Sequence, residues 1–322
     1  MQYQILQRNA ANEADIAIAG TLPEGIWDVE ARYAGGSWAT IATASSLTFT
    51  GTLAAQPTGE ALLEVRRKVI GSAAAIARVP NLSIGEVFVC AGQSNCSGYL
   101  ENNQVFTGAG VCRMLGNDYV WKECFDPTDF QNLQVDVVSR DTSFSGARGS
   151  VWPLVLTHIS DTLGGVPVGF IPSGLGGSSI VAWQPGVDHF DRTTLFGSML
   201  YRARISGVRA VLWWQGESDA RDGMSAAAYQ AYLEAIANVI GAELGTGMIV
   251  VHLQNNTAVE DALETEIRTA VTSAAAVNTN ILAVGPDLSD IDTEDGFHVV
   301  SDALAATVAQ RWADTIEAEF GW

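Results

Sequence analysis

Five short apolar segments constrain the fold of residues 84–322 more than any other feature of the sequence. They are residues 86–90, 166–171, 210–214, 248–253 and 281–284. Mostly apolar runs of this length are typical of parallel strands that are buried on both faces. Stretches with helical periodicity separate them, and the last stretch repeats an apolar residue every four positions from Val300 to Ile316. We therefore predict an α/β fold, a three-layer α/β/α sandwich around a parallel sheet.

Residues 1–83 have a different pattern, which indicates short β-strands. Two alternating runs, 27–33 and 38–43, flank Ala34-Gly35-Gly36-Ser37 and predict a hairpin. Segments 47–53 and 61–69 add two more candidate strands. We predict a small N-terminal β-sandwich as an accessory domain over 1–83, a linker at residues 78–81, and a second domain over 84–322.

The charge of the chain excludes several classes of partner. The net charge is −19, so the surface repels phosphate backbones and anionic lipids. No apolar run approaches the roughly 20 residues that a membrane span requires. We therefore expect neither nucleic acid nor membrane as a partner, and a homo-oligomer stays open. No signal peptide is visible at the N-terminus, which leaves an extracellular, virion-associated or cytoplasmic location open.

A serine follows directly on the first strand of the predicted parallel sheet, in Gly92-Gln93-Ser94-Asn95. A serine on a tight turn between strand and helix exposes its hydroxyl at the edge of the sheet, where ligands bind. There its own N–H and the start of the helix face developing negative charge. Ser94 is therefore a candidate nucleophile, although serine is also common as a helix cap.

A serine nucleophile needs a base, and the chain has four histidines. His158 lies in a helical stretch, His189 in a loop and His252 in a buried-strand pattern, so we interpret these three as structural. His298 stands just before the last helix, three residues after Asp295. An aspartate at this spacing can hold Nδ1–H of the imidazole and leave Nε2 facing the serine.

Three more blocks accompany Ser94 in chain order. They are Gly176-Gly177-Ser178-Ser179-Ile180 with Trp183, then Trp214-Gln215-Gly216-Glu217-Ser218-Asp219, then Asp295-x-x-His298. Together with Gly92–Asn95 they resemble the sialate O-acetylesterase and acetylxylan esterase branch of the SGNH hydrolases. The resemblance covers roughly residues 84–300 and implies an SGNH, flavodoxin-like fold. Residues 1–83 lie outside it.

The resemblance also implies a role for each matching residue. Ser94 would be the nucleophile, His298 the general base and Asp295 the acid that orients it, with Glu217 as the alternative acid. The oxyanion hole would comprise the N–H groups of Ser94 and of Gly176 or Gly177, and the side-chain amide of Gln215. Gln93, Asn95 and Trp183 would be substrate-binding residues, and no metal or cofactor is implied.

The function that follows is a serine esterase that removes O-acetyl groups from carbohydrate: sialic acid, xylan or a surface polysaccharide. Two alternatives stay open: a broad-specificity esterase acting on small aryl or alkyl esters, and a virion or adhesin component with a vestigial esterase domain. An α/β-hydrolase is disfavoured because no serine lies in a G-x-S-x-G motif. A metal-dependent deacetylase is disfavoured because H-x-H and H-E-x-x-H are absent.

Overall fold

The computed structural model describes residues 2–68, 76–128, 134–139 and 148–322. They form a mixed α/β fold with a large, mostly parallel sheet and helices. The strands are β1 Ile5–Gln7, β2 Glu13–Thr21, β3 Trp27–Tyr33, β4 Ala39–Ala44, β5 Thr48–Pro57, β6 Gly59–Arg67, β7 Ile76–Gly92, β8 Cys112–Leu115, β9 Trp121–Glu123, β10 Val168–Gly174, β11 Ala210–Trp214, β12 Met248–His252 and β13 Ile281–Asp287. The helices are α1 Ser94–Ser97, α2 Trp152–Thr162, α3 Leu195–Ala203, α4 Glu217–Arg221, α5 Ala226–Leu244, α6 Asp261–Val277 and α7 Asp302–Phe320, with short 3₁₀ turns at Val137–Ser139 and Ile180–Trp183.

The parallel part of the sheet has the order β13-β12-β11-β7-β10-β8, and β9 adds an antiparallel edge strand beside β8. All five strands that the apolar segments predict are present in it. Four have bounds within three residues of the predicted ones, whereas β7 begins at Ile76, ten residues before the predicted start. Every residue of β10 and β11 is buried, which explains why these segments lack an alternating polar pattern. In the described ranges, no helix is long and apolar enough to cross a membrane.

Helices cover this sheet through apolar faces. The α5 helix packs against α6, and α2 packs against α7. Three tryptophans, Trp152, Trp214 and Trp312, contact one another with ring centroids 5.5 to 6.4 Å apart. These rings are almost completely buried, so they belong to the core. The assignment of the helices to a three-layer sandwich stays a prediction.

The N-terminal strands confirm the predicted hairpin. β3 pairs with β4 in antiparallel orientation, and β6 pairs with β3 and β7. β2 and β5 form a separate two-stranded sheet. Both sheets contribute to one apolar cluster that includes Ile16, Tyr33, Leu53 and Leu63. A β-sandwich domain over residues 1–83 remains a prediction.

The linker predicted at residues 78–81 is wrong. These residues lie inside β7, a continuous strand that pairs antiparallel with β6 and then parallel with β10 and β11. The Pro80-Asn81 pair lies where the register shifts, between the pairs Ala61–Leu82 and Leu63–Val79. The shift places one extra residue on β7, and Asn81 has a positive φ of 55°, so the pair forms a bulge. Proline is tolerated in strands at such positions.

The four cysteines all lie in the described ranges, and none of them forms a disulfide. Cys112 and Cys124 lie opposite each other at the β8–β9 pairing, where the Cys124 N–H donates to the Cys112 carbonyl at 3.1 Å. Cys90, Cys96 and Cys112 are buried, as small apolar residues are in a core.

Candidate active site

Three neighbouring parallel strands end at the same level of the sheet. Gly92 of β7 pairs with Gly174 of β10 on one side and with Trp214 of β11 on the other. A cavity of about 230 Å³ opens beyond these ends. Its lining residues are Gln93, Ser94, Tyr99, Gly176, Gly177, Glu217, Ser218, Arg221, Phe297 and His298. The cavity thus lies where open parallel sheets bind ligands.

Gly92 makes the turn that carries the serine. Its φ is 142°, and a Cβ at this position would lie 1.9 Å from the carbonyl oxygen of Trp214. Only glycine allows the backbone of β7 to approach β11 so closely. Gln93 N–H then donates to the Trp214 carbonyl at 2.9 Å, and the chain enters α1 at Ser94. The side chain of Ser94 therefore reaches the cavity.

The structure brings Ser94, His298 and Asp295 together. The Oγ atom of Ser94 is 2.9 Å from Nε2 of His298, and Nδ1 of His298 is 2.9 Å from Oδ2 of Asp295. A carboxylate only accepts hydrogen bonds, so we assign the proton to Nδ1. Nε2 then carries the lone pair and accepts the hydrogen bond from the Ser94 hydroxyl. This is the arrangement in which a histidine can remove a proton from serine.

Asp295 is held by its own loop. Its Oδ1 accepts the backbone N–H groups of Phe297 at 3.1 Å and His298 at 2.8 Å. Partial burial raises the pKa of Asp295, but the hydrogen bonds from the His298 side chain and from these N–H groups outweigh it and lower the pKa overall. The Asp295 carboxyl is therefore ionised and can accept the hydrogen bond from Nδ1–H of His298.

Burial is also the main influence on His298. It lowers the pKa of the imidazole, the hydrogen bond and charge of Asp295 raise it, and the charge of Arg148 lowers it further. The pKa of His298 is therefore below the ordinary value of a histidine. Tyr99 stacks on the imidazole with ring centroids 3.5 Å apart and an angle of 6° between the planes. The guanidinium of Arg148 lies 4.2 Å from the centre of the Tyr99 ring. The His298 imidazole, the Tyr99 ring and the Arg148 guanidinium thus form a stack in that order.

Replacing Arg148 by glutamine is expected to move the acid limb of kcat/KM for ester hydrolysis to higher pH. The positive charge disfavours the imidazolium, so its removal raises the pKa of His298, and more alkaline conditions are then needed for a neutral base. Arg148 is exposed, so the shift is small and should shrink in about 1 M salt. Measuring kcat/KM against pH at low and high salt checks this, and a shift to lower pH contradicts it.

Gly176 and Gly177 line the cavity beside Ser94. Gly177 has a φ of 72°, a conformation that glycine adopts without strain, and nothing lies within 4 Å of the place where a Cβ would be. The N–H of Ser94, at the start of α1, has no acceptor within the helix. The backbone around the cavity therefore offers donors to a substrate oxygen.

Gln215 does not reach the cavity, contrary to the role that the sequence predicts for it. Its Nε2 donates to Gln93 Oε1 at 3.2 Å, to the Ser178 carbonyl at 3.0 Å and to Asp219. Its Oε1 accepts from the Tyr229 hydroxyl at 2.9 Å. Both amide protons already have protein acceptors, so the side chain braces the loops around the site and has no proton left for an oxyanion.

Trp183 is also absent from the lining of the cavity, so the structure does not support the substrate contact predicted for it. The ring is fully buried, packs edge-on against Trp213 and donates Nε1–H to Ser178 Oγ at 2.9 Å. The tryptophans at 152 and 214 are buried as well. Large aromatic residues are mostly core residues by default, and these three follow that rule.

Gln93 and Asn95 connect the elements of the site. Gln93 lines the cavity, and its Oε1 accepts the backbone N–H of Ser218 at 3.1 Å. Asn95 donates to Glu217 Oε1 at 2.7 Å and to the Phe297 carbonyl at 3.0 Å, so it ties α1 to the loop that carries the base. Asn95 is absent from the cavity lining, which leaves Gln93 as the member of this pair that a substrate can contact.

Asp295 rather than Glu217 contacts the imidazole. Glu217 lines the cavity, but its Oε1 accepts from Asn95 and from Gln254 Nε2, the latter at 3.1 Å. The remaining histidines lie elsewhere: His189 pairs with Glu243, and His252 pairs with Asp287. Across the described ranges, no group of three His, Cys, Asp or Glu side chains is arranged to hold a metal ion.

Four cavity residues have no role assigned to them from the sequence: Tyr99, Ser218, Arg221 and Phe297. Two of them carry a positional signal. Tyr99 comes directly after the turn that ends α1, and Arg221 follows Glu217 by four residues, which is one turn of α4. A residue one helical turn from a site residue lies on the same helix face, so this spacing could have indicated Arg221.

Known proteins resemble this chain in sequence and in fold. A family model described as carbohydrate esterase, sialic acid-specific acetylesterase, matches residues 84–317. A sequence comparison with curated proteins gives no match. Among solved structures, a carbohydrate acetylesterase from Xanthomonas citri is similar with a TM-score of 0.68 at 18% identity, over 100% of this chain and 74% of the other. A protein from Arabidopsis thaliana has a TM-score of 0.56 at 17% identity, over 74% of this chain and 98% of the other. At these identities the two structures show a shared fold.

Proposed function

Because the chain belongs to the carbohydrate esterase family of sialic acid-specific acetylesterases, a family of carboxylic ester hydrolases, we propose that Ser94, His298 and Asp295 form a catalytic triad that removes O-acetyl groups from carbohydrate. The observation that carries this proposal is the 2.9 Å contact between Ser94 Oγ and His298 Nε2 inside the cavity. Family membership identifies the class of reaction, and the contact supports Ser94 and His298 as the residues that perform it.

The first half of the reaction forms an acetyl-enzyme. Oγ of Ser94 attacks the acetyl carbonyl carbon while Nε2 of His298 takes the hydroxyl proton. The carbonyl oxygen becomes an oxyanion that the N–H groups of Ser94 and of Gly176 or Gly177 stabilise. When the intermediate collapses, the bond between the acetyl carbon and the sugar oxygen breaks. The imidazolium gives its proton to that oxygen, and the sugar leaves as an alcohol.

The second half returns the enzyme to its starting state. A water molecule gives a proton to Nε2 of His298 and attacks the acetyl carbon. The second intermediate then collapses with cleavage of the bond between the acetyl carbon and Ser94 Oγ, the imidazolium returns its proton to Oγ, and the product leaves as acetic acid, which ionises to acetate. Asp295 stays ionised throughout and stabilises the imidazolium that forms in each half. The lowered pKa of Asp295 suits this role.

The cavity favours a small acyl group. Its volume of about 230 Å³ lies below the range of roughly 300–1,000 Å³ that is usual for sites that enclose drug-sized ligands. Arg221 and Tyr99 lie on its lining beside the apolar Phe297, so the alcohol part of the ester meets both polar and aromatic groups. Such a lining suits an acetylated sugar. Sialic acid, xylan and surface polysaccharides all offer this chemistry.

Acetate release from a panel of acetylated glycans tests the proposal. O-acetylated sialic acid, acetylated xylan and an acetylated bacterial polysaccharide are offered beside p-nitrophenyl acetate, with Ser94→Ala as the blank. We expect release above the blank from p-nitrophenyl acetate and from at least one glycan. Equal release by the wild type and the blank on every substrate would rule out the esterase. Activity confined to longer aryl or alkyl esters would rule out the carbohydrate substrate.

A further inference from the structure

Glu217 has an arrangement that the triad leaves unexplained. It is the first residue of α4, lines the cavity and is 1% exposed. Its Oε1 accepts two amide hydrogen bonds, from Asn95 at 2.7 Å and from Gln254 at 3.1 Å. Its Oε2 is buried and has no hydrogen-bond partner among the described residues. A buried polar atom of this kind needs an explanation in a native structure.

The protonation state of the carboxyl supplies part of that explanation. A bare carboxylate oxygen without a partner is costly to bury, whereas a carboxylic acid carries no charge. Burial raises the pKa of Glu217, the two amide donors oppose this, and the charge of Asp219 raises it further, with a net rise. Both amide donors face Oε1, so the proton belongs on Oε2. Arg221 shares the cavity, but its guanidinium is bound to Asp222 at 2.8 Å.

The position of the carboxyl connects it to the reacting atoms. Asn95, which holds Oε1, is the chain neighbour of Ser94 and also donates to the carbonyl of Phe297, the chain neighbour of His298. Asn95 therefore connects Glu217 to the segments that carry Ser94 and His298. The amide of Gln215, expected from the sequence as a side-chain donor to the oxyanion, is fully used elsewhere. Glu217 lines the same cavity as Ser94, so its carboxyl is the candidate for a side-chain donor there.

We propose that Glu217 is a neutral carboxylic acid whose Oε2–H donates a hydrogen bond to the ester carbonyl oxygen as it becomes an oxyanion. Glu217 is then a catalytic residue of the proposed esterase, and the inference rests on that proposed function. Its role differs from orienting the histidine, because it acts on substrate and only in its protonated form. A carboxylic acid that burial keeps neutral can serve as such a donor, whereas a carboxylate would repel the oxyanion.

This role has a signature in the pH profile. Ionisation of Glu217 removes the donated proton and places a negative charge beside the oxyanion, so kcat falls as the pH rises through the pKa of Glu217. The titratable and charged groups near Glu217 are Asp219 and Arg221 on the same helix, Tyr229 on α5, and His298 in the lining of the same cavity. A neutral His298 is required for activity as well, so it produces the acid limb and Glu217 the alkaline limb.

Two substitutions test the proposal on p-nitrophenyl acetate, with kcat and KM measured against pH. Glu217→Ala removes the donor and should lower kcat by about 10²–10³ with little change in KM. Glu217→Gln keeps an acceptor for Asn95 and Gln254 and places an N–H where Oε2–H was. It should retain kcat within about tenfold and lose the alkaline limb. Glu64→Gln is the matched control, a buried glutamate in β6 paired with Arg32 and Arg78, and it should leave both limbs unchanged.

Three results would overturn the inference. They are a Glu217→Gln variant as inactive as Glu217→Ala, a Glu217→Ala variant within a few-fold of wild type, and an alkaline limb that persists in Glu217→Gln. Far-UV circular dichroism on each variant separates lost folding from lost chemistry. A wild type without Ser94-dependent acetate release defeats the proposed function itself, whereas an active wild type with any of the three results defeats only the role of Glu217.

Discussion

Replacing Ser94 by alanine is expected to lower kcat for acetyl ester hydrolysis by about 10⁶, and His298→Ala should cost a similar factor. The reason is that the two side chains act as one unit through their 2.9 Å contact. Without Oγ there is no acyl-enzyme, and without Nε2 the hydroxyl keeps its proton. The double variant should therefore be no slower than either single variant. Stopped-flow and long-term assays of p-nitrophenyl acetate hydrolysis measure all three.

The folding of these variants is easily controlled. Ser94→Ala removes one oxygen from a buried turn, and thermal unfolding should show only a small change in the free energy of unfolding. His189→Ala is a suitable comparison for His298→Ala, because His189 pairs with Glu243 outside the cavity. Losses that multiply in the double variant would show that Ser94 and His298 act in separate steps, and a Ser94→Ala variant with normal turnover would exclude Ser94 as the nucleophile.

The second large effect is expected at Asp295, the carboxylate that contacts Nδ1 of His298. Asp295→Asn should lower kcat by up to about 10⁴, because an asparagine amide can donate to Nδ1 and so stabilise the wrong tautomer. In that tautomer Nε2 carries the proton and cannot accept another from Ser94. Steady-state kinetics at neutral pH measure the loss. Glu217→Gln should cost much less, since Glu217 contacts Asn95 and Gln254 and not the imidazole.

The order of these two losses decides which carboxyl orients the base. A larger loss for Glu217→Gln than for Asp295→Asn would assign that role to Glu217. It would contradict both the triad and the neutral-acid role. The side chain of Asp295 is 41% exposed, so Asp295→Asn should also fold normally and allow a direct comparison.

The parallel sheet could be predicted from the sequence because burial on both faces of a strand produces a recognisable run of apolar residues. Each such strand is a run of apolar residues, and each helix between them repeats apolar residues at helical spacing. The same locality made Ser94 and the Asp295–His298 pair visible, since a tight turn and a three-residue spacing are both readable along the chain. Their distance from each other became known only from the structure, which joins residues 204 positions apart.

The errors have a common physical origin in contacts between distant segments. Pro80-Asn81 has the composition of a linker, and only pairing with β6 shows that it is a bulge in a strand. Gln215 lies in a functional block, but its amide donates to Gln93 and Ser178 of distant segments and to Asp219 of its own block. The sequence pattern at Trp183 is compatible with a sugar-binding cleft and with a core. Its packing against Trp213 is a contact between distant segments that the local sequence does not show. Tyr99 was missed for the same reason, because its importance lies in stacking on His298.

The continuity of β7 sets the spacing between the N-terminal strands and the cavity. β7 begins at Ile76 and ends at the turn that carries Ser94, so 17 residues of extended backbone separate the two by up to about 55 Å. A group bound near the far end of β7 would therefore lie at a set distance from Ser94. A flexible tether would give a local concentration that depends on its length. A shared strand instead holds the two ends at one distance from each other.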